Sequence, residues 1–213
     1  MFAAVCARYL EIAKKQVKLT LLINLLIALL ILIITPVIFG IRNLDNIASA
    51  FVLERFVSLI GIVLLTPIFL PEQNKNIAEL VESKYTSHIK IYLIRFIISA
   101  IFLFILISGF IFIMIMMSCE FDTLRFILGT FATAFFLGSV GFLTYAVSDN
   151  IVFGYMASLG YYVFNMFNGS KLKNLYLFSL GKNSFTEKYW LLGIGTAFIV
   201  TGILFKYNLR KIK

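Results

Sequence analysis

Leu19–Gly40 runs for 22 residues without one charged side chain. A helix rises about 1.5 Å per residue, so about 20 apolar residues cross a ~30 Å hydrocarbon core. That ruler predicts six spans, at 19–40, 49–70, 91–117, 124–147, 151–167 and 189–206. Hydrophobic residues make up 61% of the chain and charged ones 14%, whereas a soluble domain is about 45–50% apolar and about 25% charged. In lipid every backbone polar group must be satisfied within the protein, and a helix does this segment by segment. The expected fold class is therefore all-α: one polytopic membrane domain over 1–213 with six transmembrane helices.

The net charge of +9 does not point to nucleic acid, because the basic residues flank the apolar runs instead of forming a basic soluble domain. They set an orientation. The lead carries Arg8, Lys14, Lys15 and Lys18, and the tail carries Lys206, Arg210, Lys211 and Lys213. Six spans put both termini on one side, and their charge makes it cytoplasmic. The segment 71–90 then lies inside too, with Lys75, Lys84, Lys90 and Arg95 at or near it. The lead, 1–18, reads as an amphipathic interfacial helix, with Phe2, Val5, Tyr9, Ile12 and Val17 near one face; a frayed terminus is the plainer alternative. No cleavable signal peptide is expected, since 19–40 is long enough to stay in the membrane. Cys6 and Cys119 fall on opposite sides and should not pair. His88 is the single histidine, so no metal site is expected.

Within the spans, Ala134 and Gly138, Gly154 and Ser158, and Gly193 and Ala197 each make a small-xxx-small step suited to close helix packing. Thr35–Pro36 and Thr66–Pro67 should kink or end their helices. Only "SDN", Ser148–Asn150, separates the fourth and fifth runs, which predicts a helical hairpin with Asp149 capping the second arm. Glu54 and Arg55 sit near the outer end of span two, where an ion pair or snorkelling accounts for them. Asn24 and Asn165 are the strongest polar groups inside spans. The loop 168–188 mixes Leu175, Tyr176, Leu177 and Phe178 with lysines, and reads as a half-buried helix over the outer side or as an interfacial anchor.

The stretch "LPEQNKNIAELVESKYTSHIKIYLIRF" breaks the apolar pattern between spans two and three. Ile77, Leu80, Val81, Tyr85 and Ile89 form one apolar stripe at helical spacing, with Glu79 and Glu82 on the other face. Asn76 with Glu79 three residues on suits a capping box. Such a helix can seal the ends of two spans, or it can present its acidic face to a soluble partner. Arg95, opening span three, can snorkel to the inner headgroups.

This layout resembles the permease of an ATP-binding-cassette (ABC) exporter of the type-2 permease family, over nearly the whole chain. The resemblance is carried by the amphipathic lead, six spans with both termini inside, the outer segment before the last span, and Pro67–Phe96. It implies that the helix after Pro71 is a coupling helix that docks on an ABC ATPase subunit through Glu72, Glu79, Glu82 and Tyr85. It implies Arg95 as the anchor at the membrane edge, and a second permease subunit, identical or different, around the transport path.

The chain has no phosphate loop: Gly181–Lys182–Asn183 lacks both the upstream glycine and the hydroxyl that magnesium needs. ATP and Mg are thus expected on the partner ATPase, with no cofactor and no catalytic residue in this chain. Neither a G-x-S-x-G nor an H-E-x-x-H pattern is present. Spans rich in Phe, Ile and Leu suit an amphiphilic cargo such as a peptide, lipid or drug. The competing reading is a non-transporting polytopic protein, an immunity factor or assembly scaffold, that sits among membrane lipids and needs no ATPase partner.

Overall fold

The computed structural model describes residues 21–73, 88–182 and 184–212. Among them the chain is helical or in short connections: α1 Leu22–Phe39, α2 Asn46–Arg55, α3 Ile60–Leu65, α4 His88–Met116, α5 Thr123–Ser148, α6 Ile151–Asn168 and α7 Thr186–Ile212. Short 3-10 helices occupy Val57–Leu59, Thr66–Gln73, Gly169–Leu175 and Leu180–Lys182. Among the described residues, five stretches are long and apolar enough to cross a membrane: Leu22–Phe39, Asn46–Pro71, Ile89–Met116, Thr123–Ser148 and Thr186–Leu209. The expected fifth run, 151–167, falls on the helix α6. Its tyrosines at 155, 161 and 162 and its asparagines at 165 and 168 dilute its apolar character, and it is not among those five.

α5 is the hub, with α3, α4, α6 and α7 all packed on it. Small residues make this possible. A Cβ added at Gly61 would lie 2.0 Å from the Ala134 carbonyl oxygen, and one at Gly138 would lie 2.5 Å from the Gly61 carbonyl oxygen. Only glycine lets the two backbones meet there. Across the hairpin, a Cβ at Gly154 would sit 2.8 Å from the Gly141 carbonyl oxygen, and Ser158 Oγ donates to the Leu137 carbonyl at 2.8 Å. Two of the small-residue steps thus line helix crossings. The third does not: Gly193 and Ala197 are exposed. α7 instead turns Gly195 and Gly202 toward α5, where they accommodate the rings of Phe135 and Phe142. Ring bulk on α5 sets the rotation of α7, and spacing along α7 alone could not reveal it.

The second span is discontinuous. α2 stops at Phe56 (φ −109°, ψ −53°), a 3-10 turn follows, and α3 resumes. Farther on, Thr66–Gln73 tightens to 3-10 geometry with Pro67 at φ −83°, ψ 20°, which is the expected proline break. Pro36, by contrast, is held inside α1, which ends a turn later at Gly40 (φ 61°). The Thr35 hydroxyl donates to the Ile31 carbonyl at 2.7 Å, anchoring the turn that Pro36 weakens.

The hairpin between α5 and α6 is present, but its cap differs from expectation. Asn150 is the N-cap of α6, its Oδ1 accepting from Val152 N at 2.9 Å. Asp149 adopts the left-handed conformation that ends α5 (φ 55°), and this geometry turns its carboxylate toward Lys206 of α7, with which it forms an ion pair. The bundle therefore has a hairpin end, marked by Ser148–Asn150, and an opposite loop end carrying residues 169–185.

Candidate functional site

The loop end holds an enclosed polar network. Glu54 sits where α2 breaks, and Lys188 lies in the first turn of α7. They meet at 2.5 Å, with relative exposures of 2% and 0%. The ammonium of Lys188 has three donors, and all three are used: Glu54 Oε1 at 2.5 Å, Thr133 Oγ1 at 2.6 Å and the Leu177 carbonyl at 2.5 Å. A buried ion pair is tolerable only when its remaining hydrogen-bonding capacity is met in this way, since each desolvated charge costs several kcal/mol.

Between α6 and α7 the chain does not form the half-buried helix expected. It makes a 3-10 segment, Gly169–Leu175, then runs extended through Tyr176 before the 3-10 turn Leu180–Lys182. Leu177, Phe178, Ser179 and Leu180 are buried. A buried irregular segment outside any sheet must find most of its hydrogen bonds elsewhere, and side chains supply them. Asn165 Oδ1 accepts from Leu177 N at 2.9 Å, and its Nδ2 donates to the Leu175 carbonyl at 3.2 Å. Tyr161 Oη donates to the same carbonyl at 2.8 Å. Glu54 Oε1 accepts from Leu180 N at 3.0 Å. The segment is thus gripped by α2, α6 and α7 at once.

The break in α2 is stabilised by the same neighbourhood. Ser58 Oγ donates to the Glu54 carbonyl at 2.5 Å, and Tyr162 Oη to the Arg55 carbonyl at 2.7 Å. Arg55 neither pairs with Glu54 nor reaches outward; its guanidinium lies 4.3 Å from the Phe51 ring centroid and 5.3 Å from that of Phe178. Lys182 covers Tyr176 at 4.6 Å. Burial pushes the Tyr176 phenol up, Glu54 adds to the rise, and Arg55 opposes it. Beside this, two backbone hydrogen bonds join the neighbouring loops, Asn43 N to the Met117 carbonyl at 3.1 Å and Glu120 N to the Leu44 carbonyl at 3.2 Å. Cys119 is a buried free thiol donating to the Ile41 carbonyl at 3.2 Å.

The hairpin end is built on rings. Phe69, on the 3-10 segment leaving the second span, packs against Tyr92 (5.0 Å), Phe142 (4.6 Å) and Tyr145 (5.7 Å). Arg95, expected as the anchor at the membrane edge, lies on α4 beside this cluster. It is buried, with Nη1 donating to the Ile68 carbonyl at 3.5 Å. In the 3-10 segment the residue three ahead of Ile68 is Pro71, which has no N–H to donate, and Arg95 supplies a donor in its place. Lys206 lies 5.7 Å from the Phe69 ring.

Of the residues expected to dock a partner, Glu72 falls in the 3-10 segment Thr66–Gln73. Glu79, Glu82 and Tyr85 lie outside the described residues, as do the amphipathic lead and most of the expected coupling helix. Nothing local marks Lys188, which stands 134 positions from Glu54 and reads in sequence as one more interfacial lysine. Among the described residues no group of three or more His, Cys, Asp or Glu could hold a metal ion.

The described residues are helical, without strands, and several of the helices are long and apolar enough to span a bilayer, as in a membrane protein. Compared with family models, with curated proteins and with solved structures, the chain shows no match.

Proposed function

We propose that the chain is the membrane subunit of an ATP-driven exporter of the type-2 ABC permease class, with both termini cytoplasmic and α6 serving as its fifth span. A separate ATPase subunit carries ATP and Mg, a second permease subunit completes the path, and the cargo is an amphiphile such as a peptide, lipid or drug. The observation that carries this reading is the rooting of the polar segment 71–90. The segment leaves directly from Thr66–Gln73, whose Ile68 carbonyl is held by Arg95 of α4. Its Phe69 is packed on Tyr92 of α4 and on Phe142 and Tyr145 of α5. A push on the segment is therefore delivered to α4 and α5 together, and through Lys206 to α7. That is the mechanical requirement for a coupling element driven by a motor outside the membrane.

Glu72, Glu79, Glu82 and Tyr85 are the docking residues in this reading. Purified chain alone should hydrolyse no ATP, and affinity purification from native membranes should bring down an ATPase subunit. Glu79→Lys with Glu82→Lys should abolish that capture while the mutant stays monodisperse in detergent. Recovery of the chain without any ATPase, or undiminished capture by the double mutant, would favour the non-transporting scaffold or immunity protein instead.

A further inference from the structure

We propose that Leu175–Leu180 is a strap that closes the loop end and releases as one unit, with the Lys188–Glu54 pair as its catch. Its use as an outer gate rests on the transport reading above; its existence as a two-position element does not.

The first ground is how the strap is held. Helical hydrogen bonds touch it only at its two ends, Tyr176 N to the Lys173 carbonyl at 3.2 Å and Lys182 N to the Ser179 carbonyl at 3.0 Å. Its backbone groups are bound by Asn165, Tyr161, Lys188 and Glu54, side chains that can let go without unwinding any helix. Two of these holds converge on the ion pair: Lys188 takes the Leu177 carbonyl while Glu54 takes Leu180 N. Parting the pair therefore loosens both halves of the strap together.

The second ground is what opposes the catch. The chain enters the strap through Lys173 at φ 42°, ψ −110°, a conformation that non-glycine residues rarely adopt. Just before the 3-10 turn, the design is also imperfect. Ser179 Oγ is buried without a hydrogen-bond partner, as are Ser49 Oγ on α2 and Thr130 Oγ1 on α5. A static plug would be expected to satisfy such groups. Here the closed form leaves them wanting and leaves Lys173 strained, so displacement of the strap relieves both at the expense of the charged catch. A bistable element needs this balance of opposed terms.

The test reads accessibility and needs no cargo. Ser179→Cys, in a chain with Cys6 and Cys119 changed to serine, is placed in nanodiscs and labelled with a hydrophilic maleimide. Ser179 is 1% exposed, so labelling with the catch intact is slow. Adding Glu54→Gln and Lys188→Gln, which keeps hydrogen-bonding groups but removes the charges, should speed labelling roughly tenfold or more. Lys173→Gly, at an exposed position, relieves the hinge strain and should slow labelling roughly fivefold. This second variant leaves the buried network intact, so it decides the matter even if the first does not fold. Labelling unchanged or accelerated by Lys173→Gly would overturn the strap, as would a folded Glu54→Gln/Lys188→Gln protein in which the thiol introduced at position 179 stays protected. ATPase capture is measured separately, so a failed strap leaves the exporter reading standing, and a failed capture leaves the strap standing.

Discussion

The two ends of the bundle each place a lysine of α7 against a carboxylate, yet the two pairs are different objects. At the loop end, Lys188 and Glu54 are sealed from solvent and share their hydrogen bonds with Thr133 and the strap backbone. At the hairpin end, Lys206 is largely covered but the Asp149 side chain is 56% exposed. Water and salt weaken the second pair, whereas nothing but protein surrounds the first. The lesson is that position along α7, not residue type, decides whether a lysine is a structural keystone or a surface contact.

The largest effect should come from breaking the enclosed pair on one side only. Lys188→Met leaves Glu54 buried and uncompensated, and should cost about 3–5 kcal/mol in unfolding free energy measured in detergent. Pairing it with Glu54→Gln should recover part of that loss, since no lone charge then remains; a double mutant as unstable as the two losses combined would mean the residues do not act as a pair. A middle-sized effect is expected from Asn165→Ala. It orphans Leu177 N, while the Leu175 carbonyl keeps Tyr161, so the loss should be about 1–3 kcal/mol. The smallest belongs to the hairpin end. Asp149→Asn keeps a residue that tolerates the left-handed cap, and should cost about 0–1 kcal/mol. Raising the ionic strength should shrink that last difference further and leave the Lys188→Met defect unchanged. Equal salt sensitivity at both ends would refute the contrast.

How legible all this is in the sequence follows the same division. Apolar runs act through composition summed over about 20 residues, so the helices over 19–40, 91–117, 124–147 and 189–206 are readable directly, and the proline break at Thr66–Pro67 is a local covalent effect. Features set by a partner far along the chain are not readable. Glu54 gives no sign that its cation lies in the last helix. Asp149 looks like a cap until α7 brings Lys206 beside it, and Gly193 and Ala197 look like packing residues until Phe135 and Phe142 turn the helix away. Arg95 shows both sides: a basic residue opening a span is legible, whereas its hydrogen bond to the Ile68 carbonyl, 27 positions away, is not. Asn165 is the exception that sequence could flag, since an amide inside an apolar run needs a partner, although only the fold reveals that the partner is the strap.

The contact of Gly61 with Ala134 has a further meaning for anything that crosses this protein. Where backbone meets backbone, with no room for even a methyl group, neither an acyl tail nor a peptide side chain can slip between α3 and α5. That seam is a weld, and it closes the crossing of α3 and α5 as a route. On the transport reading, traffic is excluded from that seam, while α1 and α6 turn Leu26, Leu30, Phe153 and Phe164 outward, sectors where a neighbouring subunit could supply a wall.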